Sequence, residues 1–317
     1  MGVRDFVSVL REISFDDLES EALIAPRLLV IAANQDDSDR VAERLFGTNS
    51  DEFVDSRTYD DNGVDPFPYD AIISVGPLPN AIGQQWRKKL RRVSEPFRLV
   101  ECRHVGDMND RQLNEIQRRI ADCADDRVTA IGRFIPEMRS ACTDQLISET
   151  SRVNGEFALV SNLPTLLPVI GTAITVGADF FVLTKNQLML IFKLAAVHDR
   201  KLDNRWRIYS EMLPVVGAGL VWRTVAREVV TLLPLAIGTV PKVAIAFAGT
   251  WVIGQSAAVY YESGEKLNRE QIRAVYAQAL ETLGKRPITP KRMKTLPIGR
   301  FSPADDDHSE TESRHAG

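Results

Sequence analysis

The sequence predicts an α/β amino-terminal domain built on a parallel sheet, followed by an all-α, apolar helical domain. Three observations carry this reading. Apolar runs alternate with helix-period segments over residues 25–130. Residues 157–261 hold long apolar stretches. The segment "PRLLVIAANQDDSDRVAERLFG" (26–47) reads as a strand, a turn and a helix ending at a glycine, which is how nucleotide-binding domains often open. The expected division is an amphipathic segment over 1–24, the α/β domain over 25–130, the helical domain over 131–284 and a basic, then acidic, tail over 285–317.

Composition bounds this picture. The chain has 317 residues, enough for two domains, and a hydrophobic fraction of 44% permits a sizeable core. A net charge of -4 implies no global attraction to nucleic acid. The three cysteines, Cys102, Cys123 and Cys142, lack CxxC spacing, and their odd number argues for a reducing compartment. The first 20 residues carry acidic groups and no long apolar stretch, so they are not a secretory signal; Phe6, Val7, Leu10 and Ile13 can share a helix face. The stretch "PADDDHSETESRHAG" (303–317) is polar and acidic and is expected to be disordered.

In chain order, "RLLVIAA" (27–33) is apolar throughout, as a strand buried on both faces must be. "DSDRVAERLFG" follows with Val41, Leu45 and Phe46 on one helical face and Gly47 as its stop. "DAIISVG" (70–76) is a second buried strand, "PLPNAIGQQWRKKLRRV" (77–93) a loop and helix, "FRLVECRHV" (97–105) a third strand, and "NDRQLNEIQRRIADCA" (109–124) a helix. This alternation specifies parallel pairing with helical crossovers.

The turn "ANQDDSDR" departs from a phosphate-binding loop. Such a loop needs glycine for close backbone approach, lysine for the β- and γ-phosphates, and a following Ser or Thr for magnesium. Here glycine and lysine are absent, and Ser38 stands without its lysine. Asp36, Asp37 and Asp39 complement the positive end of the helix and repel a phosphate from it. "RHVGDMND" follows the third strand where a base-reading Asn-Lys-x-Asp would stand. The aspartates read as a helix cap rather than a metal site, and no cofactor, metal or catalytic residue is expected.

The second half is apolar with basic segments between. Residues 134–156 read as helical after Pro136, with Met138, Cys142, Leu146 and Ile147 as a stripe. "FALVSNLPTLLPVIGTAITVGA" (157–178) is uncharged over about the length of a membrane span, though Pro164, Pro168, Gly171 and Gly177 interrupt it. "VVTLLPLAIGTVP" (229–241) and "VAIAFAGTWVIGQSAAVYY" (243–261) form a second pair, the latter with small residues at Ala248, Gly249, Gly254, Ala257 and Ala258 for close helix packing. Between them, residues 184–214 place Leu188, Ile191, Phe192 and Ala195 on one stripe and carry six basic groups, a pattern that keeps such connectors cytoplasmic. The apolar stretches are then either broken hairpins in the membrane or a helical bundle that never meets lipid. Their uncharged lengths favour membrane association, with the basic segments facing anionic headgroups.

This half resembles a known family. "ISETSRVNGEFALVSNLP" (147–164), "ADFFVLTKNQLMLIFKLAAVHDR" (178–200), "EMLPVVGAGLVWRTVAREVVTLLP" (211–234) and "VPKVAIAFAGTWVIGQSAAVYYESG" (240–264) are similar to the bacterial YcjF-like family, a domain of unknown function. The resemblance implies a cytoplasmic face of the inner membrane, a protein partner with a GTPase as first candidate, and no known reaction. It also makes residues 25–130 look like a degenerate relative of the GTPase-like or Rossmann-type domain that accompanies such proteins.

Candidate chemistry is sparse. Asp179, Lys185, Asn186 and Gln187 lie close in sequence; on one helix Asp179 and Asn186 are about two turns apart and share a face. They read either as a polar site in apolar surroundings or as the capped, solvated end of a helix. Arg223 and Arg227, four residues apart, line one face and could pair with Asp179 or Glu211 or meet a lipid phosphate. Cys102 and His104 would share a strand face, with no third group to complete a nucleophilic site. Trp206, Trp222, Tyr260 and Tyr261 flank apolar runs, as an interfacial belt or as core.

Overall fold

A computed structural model describes residues 15–60, 64–93, 98–103, 108–160, 176–202, 208 and 239–288. The amino-terminal half is a four-stranded, all-parallel sheet in the order β2-β1-β3-β4, formed by β1 (Leu28–Ala32), β2 (Val54–Thr58), β3 (Ala71–Val75) and β4 (Leu99–Cys102). Leu28 stands beside Val54 on one side and Ala71 on the other, and Ile72 beside Leu99. β1 and β3 are central and every residue in them is buried, which is why both read as unbroken apolar runs. β2 is absent from the sequence expectation. It is an edge strand, "VDSRT", in which only Val54 is buried, so neither an apolar run nor a clean alternation marks it.

Helices cover both faces. α1 (Phe15–Leu23) precedes β1, and α2 (Gln35–Phe46) follows it. α3 (Asn80–Val93) links β3 to β4, and α4 (Asp110–Cys123) follows β4. Both α2 and α4 pack against the sheet face of Leu28, Val30, Ala71, Ile73 and Val100. α3 lies on the opposite face, where Trp86 joins Leu29, Ile31 and Ile72, flanked by Tyr59, Val64 and Tyr69. Asn109 and Gln112 form a capping box that starts α4.

The rest is helical: α5 (Val128–Phe134), α6 (Arg139–Val160), α7 (Val176–Val197), α8 (Thr239–Ser263) and α9 (Arg269–Lys285). The fold is thus α/β and then all-α. The expected stripe of Met138, Cys142, Leu146 and Ile147 is buried on α6 and the turn before it, and that of Leu188, Ile191, Phe192 and Ala195 is buried on α7. α9 is a further element missing from the sequence reading. It is amphipathic, buries Ile272, Tyr276 and Ala279, and starts at an Asn268–Gln271 capping box.

One hydrophobic core runs from the sheet face under α2 and α4 into α6, α7 and α8. The boundary expected after residue 130 falls within α5, whose Val128 and Ile131 belong to that core. Gln117 rivets the junction: its side-chain amide donates to the Leu45 carbonyl (2.9 Å) and the Glu137 carbonyl (3.1 Å). Arg127 fastens the other end of the sheet, donating to Asp70 (3.1 Å) and to the carbonyls of Glu21 and Ile24.

Among the described residues one helix, Lys242–Ser263, is long and apolar enough to cross a membrane, and 67% of its most apolar window is buried against the protein. The amphipathic face expected at Phe6–Ile13, most of the apolar runs 157–178 and 229–241, and the acidic tail lie outside the described residues.

Candidate functional site

The first candidate site is the turn between β1 and α2. Strand order reverses between β1 and β3, and open α/β sheets bind ligands at the carboxyl ends of the strands flanking such a reversal. Tyr59 lies across this point. Its backbone N–H donates to the Ala32 carbonyl at the end of β1 (2.9 Å), while its hydroxyl donates to the Val75 carbonyl at the end of β3 (2.8 Å) and sits 2.9 Å from Ser74 Oγ. Burial raises the Tyr59 hydroxyl above its usual pKa, so it stays a neutral donor. Sequence reasoning missed this residue, which follows an edge strand that carried no signal.

The helix start beside it is already satisfied. Asn34, not an aspartate, is the cap: its side-chain oxygen accepts from the Asp37 N–H (2.9 Å) and its amide donates to the Asp37 carboxylate (2.8 Å). Asp36 and Asp37 occupy the first turn, and Asp39 accepts from the Gln35 amide (2.8 Å). Ser38 is fully buried and donates to the Gln35 carbonyl (2.8 Å). Its hydroxyl is thus spent inside the helix rather than presented to a metal ion. A phosphate at this terminus would compete with a side-chain cap and meet like charge.

The second candidate site lies in the helical half. Of the residues expected to cluster, Asn186 and Gln187 come together on α7 with two others. Asn186 donates to the Asn154 side-chain oxygen on α6 (2.7 Å). Asn154, itself fully buried, donates to Thr250 Oγ on α8 (2.8 Å), and Gln187 donates to the same Thr250 oxygen (3.1 Å). Thr250 closes the chain by donating to the Ala246 carbonyl (2.9 Å). Four uncharged polar side chains thus tie three helices at one level. Ser151, one turn before Asn154, is fully buried and its hydroxyl finds no partner among the described residues. In apolar surroundings such bonds fix helix register, because any slip strands a buried polar group.

Asn154 and Thr250 escaped the sequence reading, although both lie in quoted stretches, "SRVNGE" and "GTWVIG". Single polar residues in apolar segments were the available signal. Lys185 is half-buried on α7, and Asp179 lies on the same helix nearer its start. Glu211, Arg223 and Arg227 lie outside the described residues, as do His104, Trp206 and Trp222. Cys102 and Cys142 are buried; burial pushes the Cys142 thiol far above its usual range and Cys123 up to about 11. Cys123 and Cys142 are therefore protonated and poor nucleophiles. Tyr261 is buried, with its ring 6.1 Å from that of His198. Burial, with Arg139 and Arg200 nearby, pushes the His198 imidazole down to about 4. No group of three metal-ligating side chains occurs among the described residues.

This arrangement defines a four-stranded parallel α/β layer whose strand-order reversal is bridged by a tyrosine, joined through a shared core to a polar-pinned helical bundle. Searches find no matching family, curated protein or solved structure.

Proposed function

We propose that this chain is a non-catalytic, membrane-associated adaptor or scaffold of the YcjF-like type, at the cytoplasmic face of the inner membrane. A protein partner, with a GTPase as first candidate, would supply the nucleotide chemistry that this α/β layer lacks. One observation supports the non-catalytic reading: Asn34 already caps the helix that follows β1, with Asp36 and Asp37 in its first turn, so a phosphate there would compete with the cap and meet like charge. The apolar helix Lys242–Ser263 supports the membrane part. A second reading, a soluble helical interaction module, is favoured by the burial of two thirds of that helix's apolar window (67%).

Two measurements test these statements separately. Full-length protein from cell lysate is expected in the membrane pellet and retained there after a carbonate wash; recovery in the supernatant without detergent overturns membrane association and selects the soluble module. Purified full-length protein is expected to show no GTP or ATP binding by calorimetry. The variant Asp36→Gly with Asp37→Gly is expected to gain none, because the turn carries no lysine for the phosphates and Tyr59 still bridges the strand ends. Micromolar nucleotide affinity in either protein sinks the non-catalytic reading in favour of a divergent GTP-binding protein.

A further inference from the structure

Among the described residues three large apolar side chains are exposed: Leu23 (51%), Ile24 (59%) and Phe67 (51%). They are not scattered. Leu23 and Ile24 come just before β1 and Phe67 just before β3, and β1 and β3 are parallel neighbours, so all three stand at the amino end of the sheet. One guanidinium ties that end together: Arg127 donates to the Ile24 carbonyl (2.8 Å) and to Asp70 (3.1 Å), just after the turn that carries Phe67. Single apolar side chains on a surface are ordinary, whereas a cluster of them marks an interface.

The groups around this cluster are ordered across the end of the sheet. α1 lies on the side that faces the helical half, with Ala22 in the main core, and presents Glu21 exposed and Glu19 half-buried. α3 lies on the opposite side. It runs from the carboxyl end of β3 to the amino end of β4, so its last turn reaches this end, with Arg91 and Arg92 exposed. Between that turn and the Phe67 loop is a cavity of about 140 Å³, walled by Phe67, Tyr69 and Leu90, with Asp70 and Arg98 on its charged side. Those charges are paired within the chain, Asp70 with Arg127 (3.1 Å) and Arg98 with Asp126 (3.1 Å). From α1 to α3 the order is therefore carboxylates, Leu23 and Ile24, the Phe67 turn, the cavity, and arginines.

We propose that a second copy of this chain docks on this end, as a two-fold dimer. A two-fold axis through the Phe67 turn reverses the order of groups, so it sets acid against base and apolar knob against cavity. Glu19 and Glu21 of one copy face Arg91 and Arg92 of the other, and Ile24 of one copy fills the cavity of the other. One surface thus carries both halves of the contact, as an isologous interface requires. The apolar centre supplies affinity, and the charged rim sets register. Because Asp70 and Arg98 are already paired, covering the cavity strands no lone charge. A bilayer fits less well, since the carboxylates of α1 stand beside the exposed apolar side chains and would meet anionic headgroups. The inference stands whether or not the chain is membrane-bound.

The test is sedimentation equilibrium of full-length protein in density-matched, uncharged detergent at low salt. The mass of two chains is expected at micromolar concentration. Glu19→Arg with Glu21→Arg, and separately Arg91→Glu with Arg92→Glu, set like charges against each other across the two-fold axis. Each pair of changes should weaken the dimer about tenfold or more. Mixed in equal amounts, the two variants restore both acid–base contacts and should regain the native affinity as a heterodimer. Phe67→Ser, at an exposed position, should also dissociate the dimer while its far-ultraviolet dichroism stays native. Three outcomes overturn the proposal: a single-chain mass up to about 100 μM, a dimer that neither the reversals nor Phe67→Ser weakens, or reversed variants that fold but stay monomeric when mixed. Protection of residues 23–27 from hydrogen exchange that appears only with lipid vesicles would also overturn it and assign the face to lipid.

Discussion

At the scale of single residues, buried polar atoms carry the sharpest consequences. Asn154 bonds both Asn186 and Thr250 with no exposed surface. Asn154→Ala removes one partner from each and leaves their polar atoms in an apolar bundle, at a cost of about 1–3 kcal/mol. The variant should show that loss as a lower urea midpoint with an unchanged slope. His198 sets a pH dependence. Its folded-state pKa, about 4, lies below the ordinary 6.5. Between those values the unfolded chain binds more protons than the folded one, so stability falls as pH drops from 6.5 toward 4. Urea midpoints across that window should decline less steeply in His198→Gln than in the native protein. Equal slopes would show that His198 is not perturbed.

At the scale of elements, glycine marks where helices touch. A Cβ on Gly254 of α8 would stand 2.7 Å from Ile147 on α6 and 3.1 Å from Leu190 on α7. Gly254→Ala gains up to about 1 kcal/mol of helix propensity but loses about 1–3 kcal/mol to overpacking, so a net loss is expected. In α9, Gly284 has no atom within 4 Å of its would-be Cβ, and Gly284→Ala should raise the melting temperature instead. Elements also show what the sequence disclosed. β1 and β3 were legible because strands buried on both faces must be apolar throughout. β2 was not, since an edge strand with Asp55 and Arg57 answers to solvent and to one neighbour only. α9 carried its own signal, Asn268 three residues before Gln271 with Ile272, Tyr276 and Ala279 following, and was passed over because its charged face interrupts the apolar pattern. Asn186 and Gln187 could be singled out by residue type alone. Their partners could not, because Asn154 and Thr250 lie 32 and 63 positions away in the chain and meet them only through packing.

At the scale of the whole molecule, the division into two parts is one of secondary structure rather than of core. α2 and α4 present one side to the sheet, and the turn at 136–138 and α6 pack on the other. A fragment ending at residue 130 would bare Phe46, Ile120 and Val128, all buried at 1% exposure or less. It is expected to be insoluble or molten, with weak near-ultraviolet dichroism, whereas the chain to residue 288 should give a sharp thermal transition. A well-folded, soluble 25–130 fragment would refute the shared core.

The shared core also sets a timetable for birth on the ribosome. The turn at 136–138 and α6 cover the flank of α2 and α4, and the last residue of α6 is translated 30 positions after residue 130. At roughly 5–20 residues per second, that flank waits about 1.5–6 s for its native cover. The nascent chain should therefore be a client for a trigger-type chaperone, and slowing elongation between residues 130 and 160 should lower the yield of soluble or correctly inserted product.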